Sequence, residues 1–88
     1  MITQRHSARE GKVMVTFEIP GTIWTESIYL VGDFNSWDSK SLPFHRDWKQ
    51  DWTLELELDV DRQYCFRYLF DDHHWGDNRH ASVLLTSN

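Results

Sequence analysis

The sequence predicts an all-β fold, an antiparallel β-sandwich of the immunoglobulin-like kind, and three observations predict it. Apolar and polar residues alternate with a period of two in the longest patterned segments. No ten-residue stretch carries helical spacing, and turn residues interrupt the chain often enough for five or more short strands. At 88 residues the chain has room for one core. We divide it into a flexible N-terminus, residues 1–11, and a single β-sandwich domain, residues 12–88.

The first eleven residues, with Gln4, Arg5, His6, Ser7 and Arg9, show no periodic apolar pattern and are expected to fray. From there Val13, Val15, Phe17 and Ile19 share one parity while Lys12, Met14, Thr16 and Glu18 share the other, the pattern of a strand with one buried face. Pro20-Gly21 ends it. Ile28-Tyr29-Leu30-Val31 is a second, shorter strand closed by Gly32-Asp33. Asn35 to Lys49 reads as a long connection with at most one short edge strand near Leu42 to Arg46. Trp52, Leu54, Leu56, Leu58 and Val60 then face one way, and Thr53, Glu55, Glu57 and Asp59 the other. After Asp61-Arg62, read as a tight connection, Tyr64, Phe66, Tyr68 and Phe70 line one face of the next strand and Cys65, Arg67 and Leu69 the other. Asp71 to His80 is a polar connection, and Ser82 to Thr86 can supply a last strand.

Composition narrows the function classes. Nine basic residues against fourteen acidic ones, net −5, leave no basic patch for nucleic acid or an anionic bilayer, so neither is expected as a partner. No apolar run approaches the roughly 20 residues that cross a membrane, and Met1 to Lys12 has no signal-peptide core, so a soluble, cytoplasmic protein is expected. The one cysteine, Cys65, cannot form an internal disulfide and lies in no zinc spacing.

Five tryptophans in so short a chain are more than one small core needs. Trp52 is in phase with Leu54 and Leu56 and is assigned to the core; Trp24 is assigned to the core or its edge; Trp48 stays open. Trp37 and Trp75, set among polar residues, are assigned to the surface. Arg67 is open between a ligand contact and a cross-strand ion pair with Glu55 or Glu57. Asp33 and Asn35 suit a turn as well as a ligand. His73, His74, His80, Asp71, Asp72 and Asp77 match no zinc pattern, so no metal or cofactor is expected. Glu55, Glu57 and Asp59 form a row of like charges with no acid–base partner across a cleft, and no nucleophile arrangement is present, so no catalytic residue is assigned.

Two blocks carry a family resemblance. Tyr29-Leu30-Val31-Gly32-Asp33-Phe34-Asn35-Ser36-Trp37 and Arg62-Gln63-Tyr64-Cys65-Phe66-Arg67-Tyr68-Leu69-Phe70-Asp71, with Trp75 beyond, resemble the glycogen- and starch-binding modules of carbohydrate-binding module family 48. Those are early-set domains of α-glucan branching and debranching enzymes and of the AMP-activated protein kinase β subunit. Pro43-Phe44 and Trp52 fall at matching places between the blocks, and the match runs from about Val13 to Trp75. The resemblance implies a non-catalytic module that binds an α-1,4-glucan. Trp37 and Trp75 would stack on sugar rings, Arg67 would supply donors and Asn35 a polar contact, and a glycogen- or starch-metabolising enzyme would be served. The chain departs from the family at Asp71-Asp72, where Asp-Gly is usual, and in a shortened connection after Trp75. Those departures favour the alternative, an early-set domain that has lost sugar binding and uses its aromatics for protein contact or self-association.

Overall fold

Two antiparallel four-stranded sheets enclose the core in the computed structural model, which describes residues 2–72, 74–76 and 81–85. The strands are β1 (Ile2–His6), β2 (Lys12–Ile19), β3 (Ile28–Gly32), β4 (His45–Arg46), β5 (Trp52–Asp59), β6 (Arg62–Phe70), β7 (His74–Trp75) and β8 (Ala81–Leu85), with one 3-10 turn at Asp33–Asn35. The first sheet has the order β1-β2-β5-β4. In the second, β3 flanks one side of β6, while β7 and β8 flank successive parts of its other side. The expected all-β sandwich is the fold observed.

Alternation builds both inner faces. Val13, Val15, Phe17 and Ile19 on β2 oppose Leu58, Leu56, Leu54 and Trp52 on β5, and opposed residues of an antiparallel pair project to the same side. Ile28 and Leu30 on β3 and Tyr64 and Phe66 on β6 close the core from the other sheet, joined by Leu85 of β8. At the centre the Phe17 ring meets Phe66 edge-on at 5.5 Å and Phe34 at 5.8 Å, the offset geometry that aromatic quadrupoles prefer. The connection from 35 to 49 does more than join strands. Leu42 and Phe44 exchange backbone hydrogen bonds with β3, Phe44 is buried, and the next two residues pair with β5, so the segment crosses from one sheet to the other. Asp61 likewise leads from the first sheet into the second, with φ +59° and its N–H on the Leu85 carbonyl at 2.7 Å.

The expectation of a frayed N-terminus is corrected for residues 2–6, which form β1, in register with residues 13–17 of β2. All five side chains are exposed, so no hydrophobic period marks the strand. Backbone pairing and charge hold it instead. Arg5 meets Glu55 at 2.9 Å and Arg9 meets Glu57 at 2.6 Å, while Ser7 donates to Glu57 and Lys12 to Asp59. The row of acidic residues on β5 is therefore the anionic half of an ion-pair ladder.

The ladder sets a pH dependence. Glu57 titrates below the usual carboxylate range because it accepts the Ser7 hydroxyl and faces Arg9; Asp59 does so because it accepts the Lys12 ammonium and feels its charge. A carboxyl pKa lowered by folding stabilises the fold above the unfolded value of about 4, and that stabilisation is lost as pH falls through the lowered values. In an NMR acid titration the β1 amide resonances should therefore move toward random-coil positions before those of β2 and β6. Glu57→Gln should shift them part of the way at neutral pH. The buried indole gives a second expectation: Trp52→Ala should cost about 3–5 kcal/mol in denaturant unfolding, and Trp48→Ala no more than about 0.5 kcal/mol.

Candidate functional site

The outer face of the second sheet gathers the residues of interest. On β6, Cys65, Arg67 and Leu69 point away from the core, and consecutive outward positions are about 7 Å apart. Val31 lies opposite Arg67, and Leu69 lies between Tyr29 on one side and Trp75 on the other. Val31 and Leu69 are buried although they lie outside the main core, so the middle of this face is covered while Trp75 at its edge is exposed. The Arg67 guanidinium sits 4.5 Å from the centroid of the Trp75 ring, in the geometry of a cation–π contact. Trp75 is in turn held by its neighbour. The Gly76 N–H donates to the Tyr68 carbonyl at 3.0 Å, and a Cβ on Gly76 would come within 2.4 Å of the Phe70 ring.

Trp37 is fixed from the opposite end of the same strands. At Gly32 the β3 backbone runs so close to β6 that a Cβ would lie 2.4 Å from the Cys65 carbonyl oxygen and 2.7 Å from the Phe66 Cβ. That approach lets Asp33 bridge two elements: one carboxylate oxygen accepts the Cys65 N–H at 2.8 Å, the other the Trp37 indole N–H at 3.0 Å. Ser36 and Trp37 both have left-handed backbones, φ +56° and +61°, which disfavours residues with a Cβ by about 1–2 kcal/mol each. The Trp37 N–H bonded to the Gly32 carbonyl at 2.9 Å, together with Asp33, holds the turn in that conformation.

Three of the four expected site residues thus share one region: Arg67 and Trp75 stack, and Trp37 is tied through Asp33 to a backbone position two residues before Arg67. Trp37 and Trp75 are 36% and 38% exposed. Asn35 has another task. Its amide donates to the Asp38 carbonyl at 2.9 Å and the Ser41 hydroxyl at 2.7 Å and accepts the Gly32 N–H at 3.2 Å, so it shapes the turn beneath Trp37. The ion-pair reading of Arg67 is corrected, because Glu55 and Glu57 lie in the other sheet with Arg5, Ser7 and Arg9 as partners.

Trp52, at 6% exposure, is in the core as expected, beneath the Arg46 guanidinium at 4.4 Å. The core assignment of Trp24 is overturned: it is 94% exposed on the β2–β3 connection, and Trp48 is 86% exposed. Periodicity could not report this, because both lie in connections between strands. Asp33 was readable only as a turn former, and its indole tether becomes visible only in three dimensions. Of the six residues weighed as a metal cluster, His73, Asp77 and His80 lie outside the described residues, as does most of the connection after Trp75. Asp71 uses one carboxylate oxygen to accept from the Thr25 hydroxyl and the Glu26 N–H, both at 2.8 Å, and from the Ser27 N–H at 3.3 Å. Asp71 and Asp72 both adopt positive φ, +55° and +66°.

The model of carbohydrate-binding module 48, the isoamylase N-terminal domain, matches residues 24–86. The chain belongs to this family, whose members are non-catalytic modules that bind carbohydrate. No curated relative matches it.

Two variants separate the constraints on this face. Asp33→Ala should leave Trp37 without its indole acceptor, and the Trp37 indole N–H resonance should move upfield and exchange faster with water. Asp72→Gly should raise the unfolding free energy by up to about 1 kcal/mol, because glycine accepts positive φ more readily.

Proposed function

We propose that the chain is a non-catalytic α-glucan-binding module of glycogen or starch type, bringing a polysaccharide to chemistry done by a separate glucan-metabolising enzyme. The observation that carries the reading is the Arg67–Trp75 stack on an outward sheet face shared with the tethered Trp37. A glucose ring has an apolar C–H face and an equatorial belt of hydroxyls. A rigid indole suits the first at little entropic cost, and a planar guanidinium with several N–H donors suits the second. With the guanidinium on one side of the Trp75 ring, the exposed remainder of the indole is the surface offered to sugar. Trp37, placed near the other end of the face, meets a later ring of an α-1,4 chain, which curves. Asn35 and Asp33 act indirectly, by positioning Trp37.

A shallow site of two indoles and a few hydroxyl contacts binds weakly, with Kd on the order of 10 μM to 1 mM, or about −4 to −7 kcal/mol. Affinity electrophoresis should show the protein retarded in glycogen and amylose but not in an unrelated β-glucan. Trp37→Ala and Trp75→Ala should each weaken binding about tenfold or more. Arg67→Lys should weaken it as well, since an ammonium keeps the charge but loses the planar stack. Tryptophan fluorescence and indole NMR shifts that stay unchanged up to millimolar maltoheptaose would overturn the reading.

A further inference from the structure

The β2–β3 connection holds an indole and the tip of an isoleucine in water, Trp24 at 94% and Ile23 at 40% exposure. Such a residue on a loose loop would carry little information, but this loop is fastened along its length. The Gly21 N–H donates to the Asp51 carboxylate at 2.9 Å, and the Ile23 N–H to the Pro20 carbonyl at 3.1 Å. Beyond Trp24 the Thr25 hydroxyl and the Glu26 and Ser27 N–H groups converge on Asp71, whose own N–H returns to the Ser27 carbonyl at 3.0 Å. Thr25 itself is buried. The indole is therefore presented from a stapled base.

An open depression of about 260 Å³ lies beside it, lined by Ile23, Trp24, Phe70, His74 and Gly76 among others. His74 opposes Phe70 and Trp75 opposes Leu69, so the depression lies on the other side of β7 from the Trp75 indole, round the edge of the sheet. Among the described residues β7, two residues long, forms the edge of the sheet there, and Gly76 packs directly on the Phe70 ring, so the step round this edge is short. A second depression, on the Glu26 and Asp72 side of Trp24, adds carboxylates that accept from hydroxyls.

Resting on the function proposed above, we infer that Trp24 forms a further glucosyl subsite, reached only by α-1,4-glucan chains long enough to pass from Trp75 across Gly76. It selects for chain length where the central face selects for the sugar. The ligand class follows from the lining: a flat apolar face with carboxylates and an imidazole beside it, one strand edge away from the Trp75 indole.

Titration of maltotriose and maltoheptaose, followed by indole N–H shifts, tests it in the full chain. For the wild type, the Trp24 resonance should move with maltoheptaose and stay fixed with maltotriose. Trp24→Ala should weaken maltoheptaose about three- to tenfold and leave maltotriose within twofold, whereas Trp75→Ala should weaken both. Equal maltoheptaose affinity in wild type and Trp24→Ala would overturn the subsite while leaving the central site in place. Binding of neither sugar by the wild type would overturn both readings. A concentration-dependent oligomer that Trp24→Ala dissolves would overturn the subsite and mark the indole as a self-association surface.

Discussion

The close approach of β3 to β6 at Gly32 is the constraint on which the rest depends. The two backbones meet so tightly that no side chain fits between them. On the inner side this seats Phe66 against Phe17 and Phe34 at the centre of the core. On the outer side it brings the first residue after β3 within reach of the β6 backbone, so that Asp33 hydrogen-bonds Cys65 and Trp37 together. Packing and the position of Trp37 are thus set by one contact, with β6 facing the core on one side and the candidate site on the other.

Legibility in the sequence followed burial. β2, β5 and β6 show their period because one face is excluded from water, and a two-residue period is the direct imprint of that exclusion. β1 has no buried face and hence no imprint; it exists through long-range backbone pairing and the ion pairs of Arg5 and Arg9, which local pattern cannot encode. The same limit explains the tryptophans. Trp52 carries the phase of its strand, but the exposure of Trp24 depends on Asp71, 46 residues beyond Thr25, whose carboxylate holds the loop open. The family likeness implies that Arg67 and Trp75 share a site, and their stacking is visible only in three dimensions. That β5 is too distant to supply a partner for Arg67 is a property of which sheet each strand joins, and no short-range signal states it.

The two outer faces serve opposite ends. The face of the first sheet is an electrostatic lattice in which β5 carboxylates meet cations from β1 and β2, solvated and screened by salt. The face of the second carries the Arg67 guanidinium laid on the Trp75 indole, above the buried Val31 and Leu69. Three of the chain's fourteen acidic residues are thus neutralised locally on the first face, whereas on the second the cation meets an aromatic ring.

The left-handed backbone at Trp37 sets backbone preference against the retention of a half-exposed indole at one residue. A bulky side chain there is held against its intrinsic preference, and glycine would relieve the turn while removing the indole. What the indole returns to folding is its hydrogen bond to Asp33, which is set against the strain of the turn. Thermostability engineering that scores backbone comfort alone would trade the indole for glycine here, and would remove the outer-face ring and its Asp33 bond together.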